Sequence, residues 1–255
     1  MKAATAAQVK AWRKLKTRPE RQVQGLFLVE GEHMVGEALA AGRVQHVLLD
    51  ADKAERFSAF AASGAPCSAL SAAQLKQVVD SRTPQGVAAL VTLPPPPTLE
   101  QLGHRLVALD GVQDPGNVGT ILRTMDAAGF AGLLTDTRTA DAFSQKALSA
   151  SMGSIFRVGV HVTQDLPGAL DSLSGFDIIA GHLQGEPFYE RPRTGERVCL
   201  LIGSEGAGLS PQVLSRATLR VRLPMQGGAE SLNAAVAAAI MMYDLYRETL
   251  IPTSM

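Results

Sequence analysis

The chain has 255 residues, 46% of them hydrophobic and 19% charged, with 24 basic and 24 acidic side chains in balance. This composition suits one or two globular domains and excludes a largely disordered, collagen-like or low-complexity protein. Two cysteines cannot build a disulfide framework; Cys199 lies in an apolar run and reads as a small buried thiol, so a reducing, cytoplasmic setting is expected. The longest apolar stretch, 234–243, is about half of the ~20 residues a membrane span needs, so no membrane contact is expected.

In chain order, residues 1–22 come first. They carry Lys2, Lys10, Arg13, Lys14, Lys16, Arg18 and Arg21 against Glu20 alone, a net charge of +6. No apolar core follows these charges, so the segment does not read as a secretory signal. The pattern around Trp12 and Leu15 predicts an amphipathic basic extension, either a solvated helix or an arm that touches phosphates. Residues 23–92 alternate predicted strands (26–29, 44–49, 87–93) with predicted helices (31–41, 52–62, 71–79), a small α/β domain with no evident catalytic cluster. Four consecutive prolines at 94–97 cannot join a sheet or helix interior and mark a stiff linker over 93–98. From 99 to 255 the alternation is more regular. Strands are predicted at 106–109, 132–135, 156–162, 177–180, 198–202 and 219–223, and helices at 118–128, 144–152, 166–173, 211–215 and 232–250. Apolar strands alternating with helices imply a parallel sheet covered on both faces, with ligands at the carboxyl ends of the strands.

Neither G-x-G-x-x-G nor G-x-x-x-x-G-K-[ST] follows a strand, which disfavours a nucleotide-dependent metabolic enzyme. Three other segments can carry chemistry. In the first, Asp114 to Thr124, the residues Val118, Ile121, Leu122 and Met125 mark a buried helix face. Gly119 and Arg123 share another face, so the guanidinium would project over bare backbone near a helix start, an arrangement suited to a phosphate. The plain alternative is Asn117 as an N-cap, a helix glycine and a surface arginine. In the second, Gly203-Ser204-Glu205-Gly206-Ala207-Gly208 follows the strand ending at Ile202, and Ser210-Pro211 look like a helix cap and first residue. A plain turn needs fewer glycines, and Glu205 would sit at the carboxyl end of the sheet. In the third, Leu223-Pro224-Met225 runs through Gly227 and Gly228 to Ser231-Leu232-Asn233 and an alanine-rich helix, with Ser231 as a natural cap. That helix reads as a buried element or a subunit interface.

The ordered set N-x-G-x-x-x-R, I-G-S-E-G-x-G and L-P-M…E-S-L-N-A-A-V-A resembles the SpoU-type, or TrmH-like, RNA ribose 2′-O-methyltransferases of the SPOUT superfamily, over about residues 104–250. The segment Ser144-Gln145-Lys146 to Ser154 looks like a further family stretch. Residues 25–31 and 83–87 look like the small substrate-binding domain of members directed at ribosomal RNA. The resemblance implies an α/β catalytic domain whose C-terminal segment threads into a trefoil knot, an exception to unknotted topology. It further implies S-adenosyl-L-methionine bound in the knot loops by Ile202, Gly203, Leu223, Met225 and Leu232, with Ser231 nearby, a homodimer packed through that region, and no metal. Arg123 would hold a phosphate and polarise the ribose hydroxyl, since a guanidinium rarely gives up its proton. Asn117 would order the loop or the ribose. Glu205, Ser231 and Asn233 would position the hydroxyl or shape the knot, Glu205 being the one carboxylate among them that could act as a base. Ser149 departs from the basic residue many relatives carry there. The substrate expected is RNA, ribosomal rather than transfer RNA; the alternatives are a tRNA-directed enzyme of the same kind and a non-catalytic RNA-binding or ribosome-assembly protein that kept the fold.

Overall fold

The computed structural model describes residues 1–251 and divides into two compact units: Met1–Pro95 with Phe143–Phe156, and Pro96–Ala142 with Arg157–Met255. The last four residues of the domain expected to run to 255 lie outside the described residues.

The first unit contains β1 (Lys2–Ala3), α1 (Ala6–Lys14), α2 (Arg18–Gln24), β2 (Leu26–Glu30), α3 (Glu32–Ala40), β3 (Val44–Asp50), α4 (Ser58–Ala61), β4 (Cys67–Leu70), α5 (Ala72–Val78), β5 (Val87–Thr92) and α7 (Gln145–Ser151). Its sheet has the order β1–β4–β3–β5–β2. β5 runs antiparallel to β2 and β3, and the other neighbours are parallel. The basic extension is not appended to this unit but folded into it. α1 opens on a reciprocal capping box at Thr5, and Val9, Trp12 and Leu15 are buried with Leu28, Leu48, Leu70 and Leu75. The predicted amphipathic face is there; what the sequence left open was the surface that would cover it. The helix expected over 52–62 is a turn at Ala51–Lys53 followed by the four-residue α4. Asp50 caps that turn, and the chain then bends to bury Phe57 beside Gly86, where a Cβ would strike Lys53 and Phe57. Strand β4 was not among the predicted strands: Cys67-Ser68-Ala69-Leu70 holds no β-branched or aromatic residue. The segment carrying α7 packs here, with the Phe143 and Phe156 rings 5.2 and 6.2 Å from Phe27, and Gln145 Nε2 donating to the Leu28 carbonyl at 3.0 Å.

The second unit contains β6 (Arg105–Asp110), α6 (Pro115–Ala127), β7 (Gly132–Asp136), β8 (Gly159–Thr163), α8 (Leu166–Asp171), β9 (Asp177–Pro187), β10 (Val198–Gly203), α9 (Pro211–Leu214), β11 (Leu219–Arg222) and α10 (Ala234–Leu250). Every neighbouring pair in its sheet is parallel, in the order β11–β9–β10–β6–β7–β8. The all-parallel sheet agrees with the sequence expectation, and its central strands β6, β7 and β10 are buried almost throughout. Cys199 is fully buried on β10, and burial pushes its thiol up to about 12, which makes it inert packing. Two elements differ from expectation. Ser154–Phe156 is a 3-10 turn, so β8 starts later. β9 extends to Pro187, with a register shift opposite Arg220 and Val221 where Gly185 lets the two backbones approach.

A polar cluster fixes the carboxyl ends of this sheet. Asp110 ends β6 and Asp136 ends β7, and both are buried. Asp136 Oδ1 accepts from the N–H of Gly111 (3.1 Å), the N–H of Thr139 (2.9 Å) and the Thr139 hydroxyl (2.6 Å). Arg138 donates through Nε to Asp136 Oδ2 at 2.6 Å and through a terminal nitrogen to Asp110 Oδ1. The other oxygen of Asp110 accepts from the Ser210 N–H at 2.6 Å. Burial alone would raise the Asp136 carboxyl, but the hydrogen bonds from Thr139, Arg138 and Gly111 outweigh it and hold the group below its ordinary range.

Two predictions test this framework. Trp12→Ala removes a buried aromatic and should lower the unfolding free energy by about 3–5 kcal/mol, measured by urea denaturation; a loss under ~1 kcal/mol would mean that α1 is not part of the core. Asp136→Asn should cost roughly 1–3 kcal/mol at neutral pH. Because the folded carboxyl is depressed, its contribution is complete above the ordinary carboxylate value and is lost as pH falls through the folded one. The difference between wild type and variant should therefore shrink in acid, and an equal difference in neutral and acidic thermal melts would contradict the assignment.

Candidate active site

The strand order places the site. β7 and β8 lie on one side of β6, while β10, β9 and β11 lie on the other, so the order reverses at the β6–β10 pair. Loops leaving the carboxyl ends of such a pair diverge and open a crevice. At that edge Gly203 of β10 pairs with Asp110 of β6, and Ile202 with Leu109.

The loop after β6 begins at Gly111, whose φ of +70° suits glycine, and ends at Asp114, whose side chain accepts from the Gly116 N–H at 2.8 Å and caps α6. The helix thus starts at Pro115, earlier than predicted, and Asn117 is in its first turn and is not its cap. Val118, Ile121, Leu122 and Met125 are buried, as their spacing requires. Gly119 is buried as well, so it leaves no open backbone patch beside Arg123. Arg123 itself is exposed and makes no ion pair or hydrogen bond among the described residues.

The loop after β10 is a tight turn in which Ser204 and Gly208 exchange backbone hydrogen bonds of 3.0 and 3.1 Å. Gly208 has φ +68°, and a Cβ on Gly203 would run into the backbone of Gly208 and Leu209. Those two glycines build the turn, whereas Gly206 faces open space. The turn presents Glu205 outward, and Asn117 Nδ2 donates to Glu205 Oε1 at 2.6 Å.

The third loop, after β11, leads to α10. The cap is Asn233 and not Ser231: the Asn233 Oδ1 accepts from the N–H groups of Ala235 (2.9 Å) and Val236 (3.2 Å). Its Nδ2 donates to Asn117 Oδ1 at 3.1 Å. One amide, Asn117, therefore joins the turn after β10 to the start of α10. Residues 224–232 take part in no hydrogen bond among the described residues, and Met225 (37% exposed) and Leu232 (38%) stand open on this loop. Leu223 is half-buried, Ile202 is buried, and Ser231 is exposed.

The structure thus unites three of the predicted residues, Asn117, Glu205 and Asn233, in one hydrogen-bonded chain. It places Arg123 on the same helix as Asn117, and sets Leu223, Met225, Ser231 and Leu232 on the uncommitted loop. Sequence reasoning missed Asp110, Asp136, Arg138 and Thr139; the available signal was the polar run Thr135-Asp136-Thr137-Arg138-Thr139 closing an apolar strand. No cluster of His, Cys, Asp and Glu suited to a metal occurs among the described residues, and no described helix is long and apolar enough to cross a membrane.

Comparison with known proteins agrees with this geometry. The SpoU rRNA methylase family profile matches residues 104–243, and a profile for an MRM3-like substrate binding domain matches residues 6–89. The chain is 39% identical to the 23S rRNA (guanosine(2553)-2′-O)-methyltransferase RlmP of Bacillus subtilis (strain 168), over 96% of this chain and 98% of that protein. Among solved structures it is similar to an AdoMet-bound rRNA methyltransferase from Sinorhizobium meliloti (TM-score 0.83, 30% identity, 99% of this chain and 98% of the other). It is also similar to the SpoU methyltransferase AviRb from Streptomyces viridochromogenes in complex with AdoMet (TM-score 0.82, 26% identity, 96% and 99%). A crevice built at the reversal of a parallel sheet, with a profile match over most of that unit and a relative aligned from end to end, has one reading: the chain belongs to the SpoU rRNA methylase family.

Proposed function

We propose that this protein methylates a ribose 2′-hydroxyl of RNA, with S-adenosyl-L-methionine as donor and ribosomal RNA as substrate. The observation that carries the reading is the Glu205–Asn117–Asn233 chain, which gathers three separate loops at the sheet's reversal and sets a carboxylate in the crevice near a helix that bears the unpaired Arg123. The residues present fit the cofactor. The backbone of 224–232 has N–H and C=O groups free for a ligand read through backbone contacts, and Leu223, Met225 and Leu232 offer apolar surface beside them. Gly203 and Ile202 would form the floor at the end of β10, and Ser231 would border it. When bound, the cofactor supplies a methyl group activated on a sulfonium.

The chain's own groups have the following parts in the proposal. A guanidinium does not give up its proton, so the part of Arg123 is that of a donor, gripping the phosphate next to the target ribose and polarising the hydroxyl. Glu205 Oε1 is held by Asn117, and its second oxygen, with no partner among the described residues, receives the hydroxyl proton. Asn233 caps α10 and donates to Asn117, so the chain of hydrogen bonds that holds the carboxylate ends on a helix start. The division into a substrate domain over 23–92 and a catalytic domain from 99 belongs to this reading, as do a cytoplasmic location and trefoil threading of the C-terminal segment. So does a homodimer through α10, which presents Val236 (48% exposed) and Tyr243 (49%) one heptad apart on its surface.

The test uses purified protein, labelled S-adenosyl-L-methionine and ribosomal RNA lacking the modification, with 2′-O-methyl mapping of RNA from cells with and without the protein. Arg123→Ala should lower methyl transfer by ~100-fold or more while cofactor affinity by calorimetry changes less than about threefold. No methyl transfer by the wild type would overturn the reading, and equal loss of cofactor affinity would remove the role given to Arg123.

A further inference from the structure

We propose that the groove between α1 and α5 binds the sugar–phosphate backbone of the RNA substrate; this rests on the function proposed above. The first 22 residues hold a net charge of +6 in a chain that is otherwise balanced. Folding sorts these cations. Lys14 pairs with Glu20 at 3.4 Å, and Lys16 pairs with Asp80 at 3.0 Å and donates to the Val79 carbonyl. Arg21 is buried and donates to the carbonyls of Leu15 and Lys16. Lys10 and Arg13 are exposed and have no partner among the described residues.

These two cations sit three residues apart, on one face of a helix that the buried Val9 and Trp12 anchor to the core. They are therefore mounted on rigid backbone. Together with Ala6 and Val9 they form one wall of a groove of about 360 Å³, and Gln74 and Gln77 of α5 form the other. No carboxylate lines it, and no aromatic ring does either. Gln74 Oε1 is engaged by the Ser71 N–H, while Gln77 is uncommitted at both ends. Two unpaired cations across from amide groups match a chain of phosphates and ribose hydroxyls: the ammonium and guanidinium take phosphate oxygens, and the amides take phosphate or 2′-hydroxyl. Without a stacking ring the groove reads backbone and not bases, so it positions RNA without selecting sequence. An acidic protein segment would satisfy the cations but has no regular use for the amide wall.

The experiment measures affinity of the full-length protein for ribosomal RNA fragments at several salt concentrations, alongside cofactor affinity and thermal unfolding. Lys10→Glu with Arg13→Glu should weaken RNA binding at least tenfold at low salt and flatten the logarithmic salt dependence by up to about two phosphate contacts, with cofactor affinity and melting unchanged. Gln77→Ala should weaken binding about threefold with the salt slope unchanged, because an amide releases no counterion. If the wild type methylates RNA and the double variant binds it with unaltered affinity and slope, the groove is overturned and the proposed function stands. If the double variant weakens binding but Gln77→Ala has no effect, the interaction is diffuse charge attraction and the groove is again overturned. If the wild type neither binds nor methylates RNA, the function fails first and the groove with it.

Discussion

Two carboxylates at the ends of adjacent parallel strands would repel each other if nothing stood between them, and the crevice of the catalytic unit depends on how that repulsion is met. Asp110 and Asp136 are both buried, and a single guanidinium, Arg138, bonds to each. Each carboxylate also accepts from a backbone N–H of a different loop, Asp110 from Ser210 after β10 and Asp136 from Gly111 after β6, and Asp136 accepts from Thr139 besides. The cluster therefore couples loop position to charge balance. Neutralising the pair from the solvent side, where Arg138 is 64% exposed, avoids burying a third ion while each carboxylate oxygen keeps a donor.

That arrangement explains why the residues nearer the crevice can be so sparsely supported. Glu205, Asn117 and Asn233 are mostly open to solvent, and exposed hydrogen bonds hold their partners weakly. Their positions are set less by one another than by the elements they leave: Asn117 by the first turn of α6, Glu205 by the Ser204–Gly208 turn, Asn233 by its capping of α10. The three-residue chain reports that those elements are in place. Arg123, about one and two-thirds turns along α6 from Asn117, has no acid against it among the described residues, so its charge remains available to a polyanion.

Much of the fold could be read directly, because apolar strands and one-sided helices are local patterns. The buried positions of α6 and the apolar character of β6, β7 and β10, which implies a parallel sheet covered on both faces, follow from residues close in sequence; the order of the strands does not. What could not be read depends on partners far apart: 88 residues separate Asn117 from Glu205, 116 separate it from Asn233, and 100 separate Asp110 from Ser210. The family resemblance named Asn117, Glu205 and Asn233 as candidates without disclosing that they touch. The cap of α10 was assigned to Ser231 because serine is a good cap; Asn233 displaces it by serving two helix N–H groups and Asn117 together, which no local propensity contains. The basic extension shows the same limit, since Trp12 declares an apolar face but not the surface that receives it.

The glycines make the final distinction between structure and ligand. A glycine-rich loop is often read as an invitation to a ligand, yet here Gly203 and Gly208 are fixed by their own turn, one by contact and one by backbone angle. Gly119 is buried within the catalytic unit. The segment that does leave backbone uncommitted, 224–232, contains Gly227 and Gly228, neither of which meets a neighbouring atom where a Cβ would stand. A ligand held by backbone groups needs unpaired N–H and C=O atoms with nothing shielding them, and it is the loop after β11, not the tight turn after β10, that meets this condition. The turn supplies Glu205 and a rigid edge; the open loop supplies the donors and acceptors. In the proposed function, binding and proton transfer thus fall to different loops, and Asn233 at the start of α10 is bonded to Asn117, which holds the second of them.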